Sequence, residues 1–177
     1  MNELYVKARV GTEIKQWLEA SYNSDIVAPL RDSTLMGIIK QHLELTSQDD
    51  DEQLDDAECV KIKLPIQNGS VYCQSNGRVY VCNTLWRNRL SEKGHLRVKK
   101  FFENNFRHAF HTFMDGYVEG QYATKTEEAR LKVKEGVAAF LLQYHIDFNE
   151  KLVARLTRDW WRHNDRNEGN RVSPMVY

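Results

Sequence analysis

Apolar and polar residues alternate through 3–10, with Leu4, Val6, Ala8 and Val10 set against Tyr5, Lys7 and Arg9. A period of two puts one set on a single face, which predicts a strand with one side buried. The period then lengthens. Ile14, Trp17, Leu18 and Tyr22 share one side of a short helix that Thr12 can cap and Asn23-Ser24-Asp25 breaks. Ser33 can cap a second helix, with Leu35, Ile38, Ile39, Leu43 and Leu45 facing inward. Period two returns at Val60, Ile62, Leu64 and Ile66, followed by Asn68-Gly69, Val71-Tyr72-Cys73, Asn76-Gly77 and Val79-Tyr80-Val81-Cys82. Asn-Gly suits a two-residue type I′ hairpin, because both central residues need positive φ. Two such turns predict a three-strand antiparallel meander. In that register Ile66 faces Val71 and Cys82, and Leu64 faces Cys73 and Tyr80. Pro65 removes a backbone donor, so the first strand is expected at an edge or bulged.

From 84 onward the pattern is helical. Ser91 is a candidate start, delayed if Gly94 intrudes. Phe102, Phe106, Phe110, Phe113 and Tyr117 then step by four, four, three and four, an aromatic stripe expected to be core. Thr124 with Glu127 reads as a capping box for a further helix. That helix carries Leu131, Val133, Val137, Ala138, Phe140, Leu141 and Leu142, enough for a mostly buried element, with Gly136 inside it for close packing. Asp147 with Glu150 repeats the capping pattern and starts a last helix near Phe148. On it Leu152, Val153, Leu156 and Trp160 share a face. Arg155, Arg158, Arg162 and Arg166, spaced three, four and four, share the adjacent one.

The elements add up to an α+β fold. A small antiparallel β-sheet of about four strands with two helices, over 1–83, precedes a C-terminal three-helix bundle over 84–166. Its last pair is helix-turn-helix-like, and 167–177 forms a loosely held tail. The length of 177 residues suits one compact domain or two small ones, and 41% hydrophobic residues suffice for a core. No run of about 18 apolar residues exists, so no membrane span is expected. MNELYVKARV lacks an apolar signal core, and three widely spaced cysteines suit reduced thiols. Cytoplasmic residence is the expectation.

The neutral total hides an uneven distribution of charge. Residues 1–66 hold 7 Lys+Arg against 13 Asp+Glu, a net of −6, and 67–177 hold 18 against 12, a net of +6. Such asymmetry favours a C-terminal half that faces a polyanion, although the two halves can equally attract each other. Four guanidinium groups along one helix edge can fork onto phosphate oxygens or a guanine edge. A short corner leading into a basic helix is how helix-turn-helix proteins offer a reading helix to the major groove. The expected nucleic-acid contacts are therefore Arg155, Arg158, Arg162 and Arg166, with Lys99, Lys100 and Arg107 adding phosphate contacts. The plainer alternative is a solvated face, diluted by Asp159, Asp165 and Glu168.

Other constellations point less clearly to chemistry. Six carboxylates lie between Asp49 and Asp56 in an acidic segment over 46–58. It can mimic nucleic acid, contact a basic protein partner or, as like-charge blocks usually do, merely solvate a loop. His108, His111 and Asp115 share a helical face and are a conceivable metal set, but no fourth ligand and no HExxH pattern accompanies them, and a solvated face is the simpler reading. Cys59, Cys73 and Cys82 have no CxxC spacing. No GxxxxGK[ST] or GxGxxG loop occurs, and no acid/base pair or nucleophile motif is present. The expectation is a protein without enzymatic activity and without cofactor or metal. Trp160 falls on the apolar face, whereas Trp161 points elsewhere and can anchor a second subunit or another helix, with core packing of both rings the simpler reading.

The run from RVYVCNTLWRN through FLLQYHIDFNEKLVARLTRDWWR resembles small proteins carried by bacterial prophages and conjugative elements, over about the last 60% of the chain. In those proteins a strand segment precedes a bundle ending in a basic helix. The resemblance implies DNA-related work in a mobile element and transfers no functional residue. The functional expectation is a DNA-binding protein, regulatory or accessory and dimeric. The alternative is a structural or protein-interaction protein, such as a phage component or an inhibitor, that uses the acidic segment or Trp161.

Overall fold

A computed structural model of the chain describes residues 4–47, 54–64, 71–73, 79–81, 86–118 and 126–171, and the side chains of 4–44, 54–64, 89–118 and 126–165. The fold is α+β with a helical C-terminal part, and two compact units are present, Met1–Asn105 and Phe106–Tyr177. Among the described residues no helix is long and apolar enough to cross a membrane.

The first unit is built on β1 (Leu4–Arg9), whose alternation buries Val6 and Ala8, and β4 (Cys59–Leu64), which pairs with it antiparallel from Leu4↔Leu64 to Arg9↔Cys59. A short strand, β2 (Ile26–Val27), pairs with the other edge of β4 in parallel, giving the order β1-β4-β2. The sheet is therefore mixed rather than antiparallel, and β4 is its centre rather than an edge. Pro65 itself lies outside the described residues. Among the described residues β5 (Val71–Cys73) and β6 (Val79–Val81) pair antiparallel as expected, but with Cys73 opposite Val79 rather than Tyr80, and no pairing of β4 with β5 is present. Asn68-Gly69 and Asn76-Gly77 lie outside the described residues.

Helix α1 (Thr12–Tyr22) matches the predicted span, but Thr12 is not its cap. Gly11 holds the cap position at φ 95, with no side-chain hydrogen bond. Asn23 ends the helix in the left-handed conformation at φ 48. Ser33 caps α2 (Thr34–His42) as predicted, its Oγ accepting from Met36 N at 3.3 Å. The apolar spacing suggested that this helix continues through Leu43 and Leu45. Instead the chain extends into β3 (Leu43–Ser47), which pairs antiparallel with β7 (Trp86–Leu90), a stretch expected to be helical. Each alternates over only five residues and adjoins a helical pattern, so it is defined by its partner.

Ser91 joins the two elements that follow. Its N–H donates to His42 O at 3.0 Å, and its Oγ accepts from Gly94 N at 3.2 Å to cap α3 (Glu92–Val118). Gly94 does not delay the helix. A Cβ there would lie 2.7 Å from His42 Cβ and 3.3 Å from Leu90 Cβ, so the first turn of α3 seats against β7 and the end of α2 only because the side chain is absent. Gly94→Ala is expected to destabilise the first unit by about 1–3 kcal/mol through overpacking; a denaturation midpoint at or above wild type would refute the tight seat. The next residue, His95, is buried and its Nδ1 accepts the N–H of Arg9 at 3.2 Å, which ties α3 to β1.

The second unit comprises the latter part of α3, α4 (Glu127–Gln143) and α5 (Glu150–Arg171). The buried column of α3 runs through Phe102, Phe106, Phe110, Met114 and Val118, while Phe113 is half-buried and Tyr117 is exposed. The stripe thus continues by fours. Helix α4 buries one side, including Ala129, Val133, Val137, Phe140 and Leu141; Leu131, Ala138 and Leu142 face outward. Gly136 allows close approach as expected, a Cβ there falling 2.9 Å from Tyr117 Cδ1 and 3.0 Å from Met114 Cε. The cap of α4 is Thr126, whose Oγ1 accepts from Ala129 N at 3.2 Å; Thr124 lies outside the described residues.

The corner between α4 and α5 closes with Ile146 N donating to Leu141 O at 2.9 Å and His145 N to Leu142 O at 3.2 Å. This pattern is a Schellman motif with His145, at φ 50, in the left-handed position usually given to glycine, and with buried Ile146 as its hydrophobic contact. Asn149, not Asp147, caps α5: its Oδ1 accepts from Lys151 N at 2.9 Å, so the helix starts later than predicted. The helix also reaches Arg171, further into the expected tail.

Candidate nucleic-acid interface

Two half-buried residues, Leu152 and Val153, and two buried ones, Leu156 and Trp160, set the orientation of α5. Once that face is turned inward, helical periodicity leaves Arg155, Arg158 and Arg162 exposed on the neighbouring side. Arg158 Nε donates to its own helix, to Ala154 O at 3.2 Å. Among the described residues neither Arg158 nor Arg162 has a carboxylate partner. Arg166 belongs to the backbone of α5, and its side chain lies outside the described residues.

Asp159, counted as diluting this row, is engaged on another side of the helix. Its Oδ2 accepts from Arg107 Nε at 3.2 Å and lies 3.2 Å from His111 Nε2. Arg107, expected to be a phosphate contact, is thus in an ion pair with its own unit; its side chain is 58% exposed, so the pair is weak. Lys99 is half-buried and Lys100 exposed, and both belong to the first unit, whereas the arginine row belongs to the second. Asp56 of the acidic segment forms an ion pair with Lys7 at 2.9 Å, which holds its carboxyl below the usual range, first through the hydrogen bond and then through charge. Residues 48–53 of that segment lie outside the described residues.

A feature that periodicity on single helices did not reveal is a cluster between α3 and α5. The rings of His111 and His163 stack with centroids 3.9 Å apart and 21° between planes. His111 faces Asp159, and His163 Nε2 lies 3.8 Å from Asp115 Oδ2. His-x-x-x-Asp on α3 is matched by Asp-x-x-x-His on α5, and these complementary pairs were the signal in the sequence. His111 is therefore not on a solvated face, whereas His108 is exposed. Stacked rings send their nitrogen lone pairs along parallel rather than converging lines, and among the described residues no group of three ligating side chains is placed to hold a metal. Burial, then the neighbouring His163, lowers the His111 pKa against the opposing pull of Asp159. The folded state thus binds this proton less readily than the unfolded chain, whose histidines titrate near 6.5. That contribution to stability is present above about pH 6.5 and is lost as pH falls through the folded value. Thermal midpoints measured between about pH 7.5 and 5 should fall with pH, and His111→Asn should flatten part of the fall; equal slopes in both proteins would contradict it.

Cys59 is buried, and burial raises its thiol pKa, which leaves it a poor nucleophile. The side chains of Cys73 and Cys82 lie outside the described residues. Trp160 is buried and Trp161 half-buried. No family model, curated protein or solved structure matches this chain.

Proposed function

We propose that the chain is a non-enzymatic DNA-binding protein, regulatory or accessory, which lays α5 along the phosphate backbone. One observation carries the reading: Arg155, Arg158 and Arg162 stand exposed along a single helix edge, and Arg158 and Arg162 have no carboxylate partner among the described residues. A guanidinium in that setting needs no desolvation of a competing partner before it forks onto a phosphate. The corner before α5 spans 144–149, longer than the three or four residues of a helix-turn-helix turn, so the reading rests on the charged edge rather than on that motif. It includes a cytoplasmic protein of a mobile element, acting as a dimer on a two-fold site. Labelled duplex and single-stranded oligonucleotides, followed by fluorescence polarisation, test it. Three phosphate contacts predict an affinity loss of about forty-fold between about 50 and 200 mM salt. Absence of binding, or binding indifferent to salt, would refute it.

A second reading, a protein-interaction role, has its own support. Leu142, near the end of α4, and Phe148, within the α4–α5 corner, are 78% and 69% exposed. Large apolar groups held in water at one corner favour a protein contact there. A Leu142→Ser/Phe148→Ser variant that binds DNA normally but loses a function in the cell would support this role.

A further inference from the structure

A cleft of about 480 Å³ opens in the first unit between the end of α2 and the first half of α3. Lys93, Arg97, Lys100 and Asn104 line it, and at 100° per residue they share one edge of α3. The three cations are exposed, and among the described residues none of them forms an ion pair. No carboxylate lines the cleft. The acidic group that acts on His42 is Glu44, which is itself held by Arg89 Nε at 3.4 Å. Opposite the cations stands His42 at the end of α2, fixed by the Ser91 N–H on its carbonyl and by the tight seat of Gly94 against its Cβ. Three like charges gathered around one concavity repel one another, and an anion seated among them relieves that repulsion.

Not all of the lining is charged. Ile38 and Phe101 supply apolar wall, both half-buried, and Gln41 and Asn104 supply amide groups. The volume lies in the range of sites for small organic ligands, about 300–1,000 Å³, and exceeds what one inorganic phosphate fills. A concave cleft suits a compact ligand better than a rod-like duplex, in contrast to the convex edge of α5.

We propose that this cleft binds a nucleoside polyphosphate, its phosphates on Lys93, Arg97 and Lys100 and its base along Phe101. This goes beyond the DNA-binding reading and does not depend on it, since the arginine row of α5 lies in the other unit. No Gly-rich phosphate loop is involved. Side-chain cations take the place of backbone N–H groups as phosphate donors, as point charges from the lysines and a fork from the arginine. Burial, and then Lys93 and Arg97, lower the His42 pKa, in keeping with positive potential inside the cleft.

Isothermal titration of the full chain with ATP and, separately, with inorganic pyrophosphate tests the assignment. Saturable ATP binding at one site per chain is expected, with pyrophosphate several-fold weaker because it lacks a base to stack. Arg97→Ala, at an exposed position where folding is unaffected, should weaken ATP at least ten-fold. Phe101→Leu should weaken ATP and leave pyrophosphate unchanged. Arg158→Ala/Arg162→Ala should leave both ligands unchanged, which separates this site from α5. No saturable ATP binding at millimolar concentration, or full binding by Arg97→Ala, would overturn the site. Equal affinities for ATP and pyrophosphate would overturn the base contact and the nucleotide class with it.

Discussion

Replacing Phe140 by alanine is expected to cost about 3–5 kcal/mol of stability, the range for deleting a buried phenyl ring. Phe140 is fully buried on α4 and is the ring on which the second unit converges. Its centroid lies 5.7 Å from Phe106, 5.2 Å from Phe110, 5.4 Å from Phe113 and 4.9 Å from Tyr144, and the three phenylalanine pairs are edge-to-face. Such pairs add about 0.5–1.5 kcal/mol each beyond area burial, and one truncation loses all of them. Phe140→Leu keeps most of the volume but loses the edge-to-face pairs, so it should cost measurably less than Phe140→Ala yet remain clearly destabilising. Leu142→Ala, two residues away on the outward side of the same helix, should stay within about 0.5 kcal/mol of wild type. Chemical denaturation of the three variants checks the order. A Phe140→Ala loss below about 1 kcal/mol would mean that α4 does not pack as described.

The contrast between Phe140 and Leu142 also shows where the sequence was readable. An apolar run long enough to cover a helix says that the helix is buried, but not on which side; Leu131 and Leu142 read as core and are exposed. Caps were legible where a hydroxyl stood at the right offset, as at Ser33 and Ser91, because the hydrogen bond is local. Strands β3 and β7 were not, since Leu43 and Leu45 continue a helical spacing and the alternation of Arg87 and Arg89 with Trp86, Asn88 and Leu90 is only five residues long and runs into a helical stretch; pairing across the fold makes them strands. Pro65 pointed to an edge strand, yet β4 lies between β1 and β2. The strands flanking Asn76-Gly77 pair as that signal implied, though one residue out of the register read from it. The arginine row was visible from spacing alone. Its exposure depended on Leu156 and Trp160 being turned inward, and the withdrawal of Asp159 toward Arg107 and His111 needed α3 and α5 side by side.

That withdrawal makes Arg158 and Arg162 the decisive pair. Both are exposed, and neither contributes to the core or to an ion pair among the described residues, so their joint replacement by alanine should leave the unfolding midpoint within about 0.5 kcal/mol of wild type. DNA affinity should fall about ten- to thirty-fold at low salt, since each exposed guanidinium–phosphate contact contributes about 1 kcal/mol. The loss should be similar across sequences if the contacts are to phosphate, and should fall on particular base pairs if one of the two arginines forks onto a guanine edge. Arg107→Ala should matter less, because that residue lies on α3 rather than along the exposed edge of α5.

The most direct measurement is the slope of log affinity against log salt, for the wild-type chain and for Arg158→Ala/Arg162→Ala on the same duplex. Two lost phosphate contacts should make the slope shallower by about 1.8. An identical slope and affinity in the two proteins would show that the exposed arginine edge of α5 does not meet DNA.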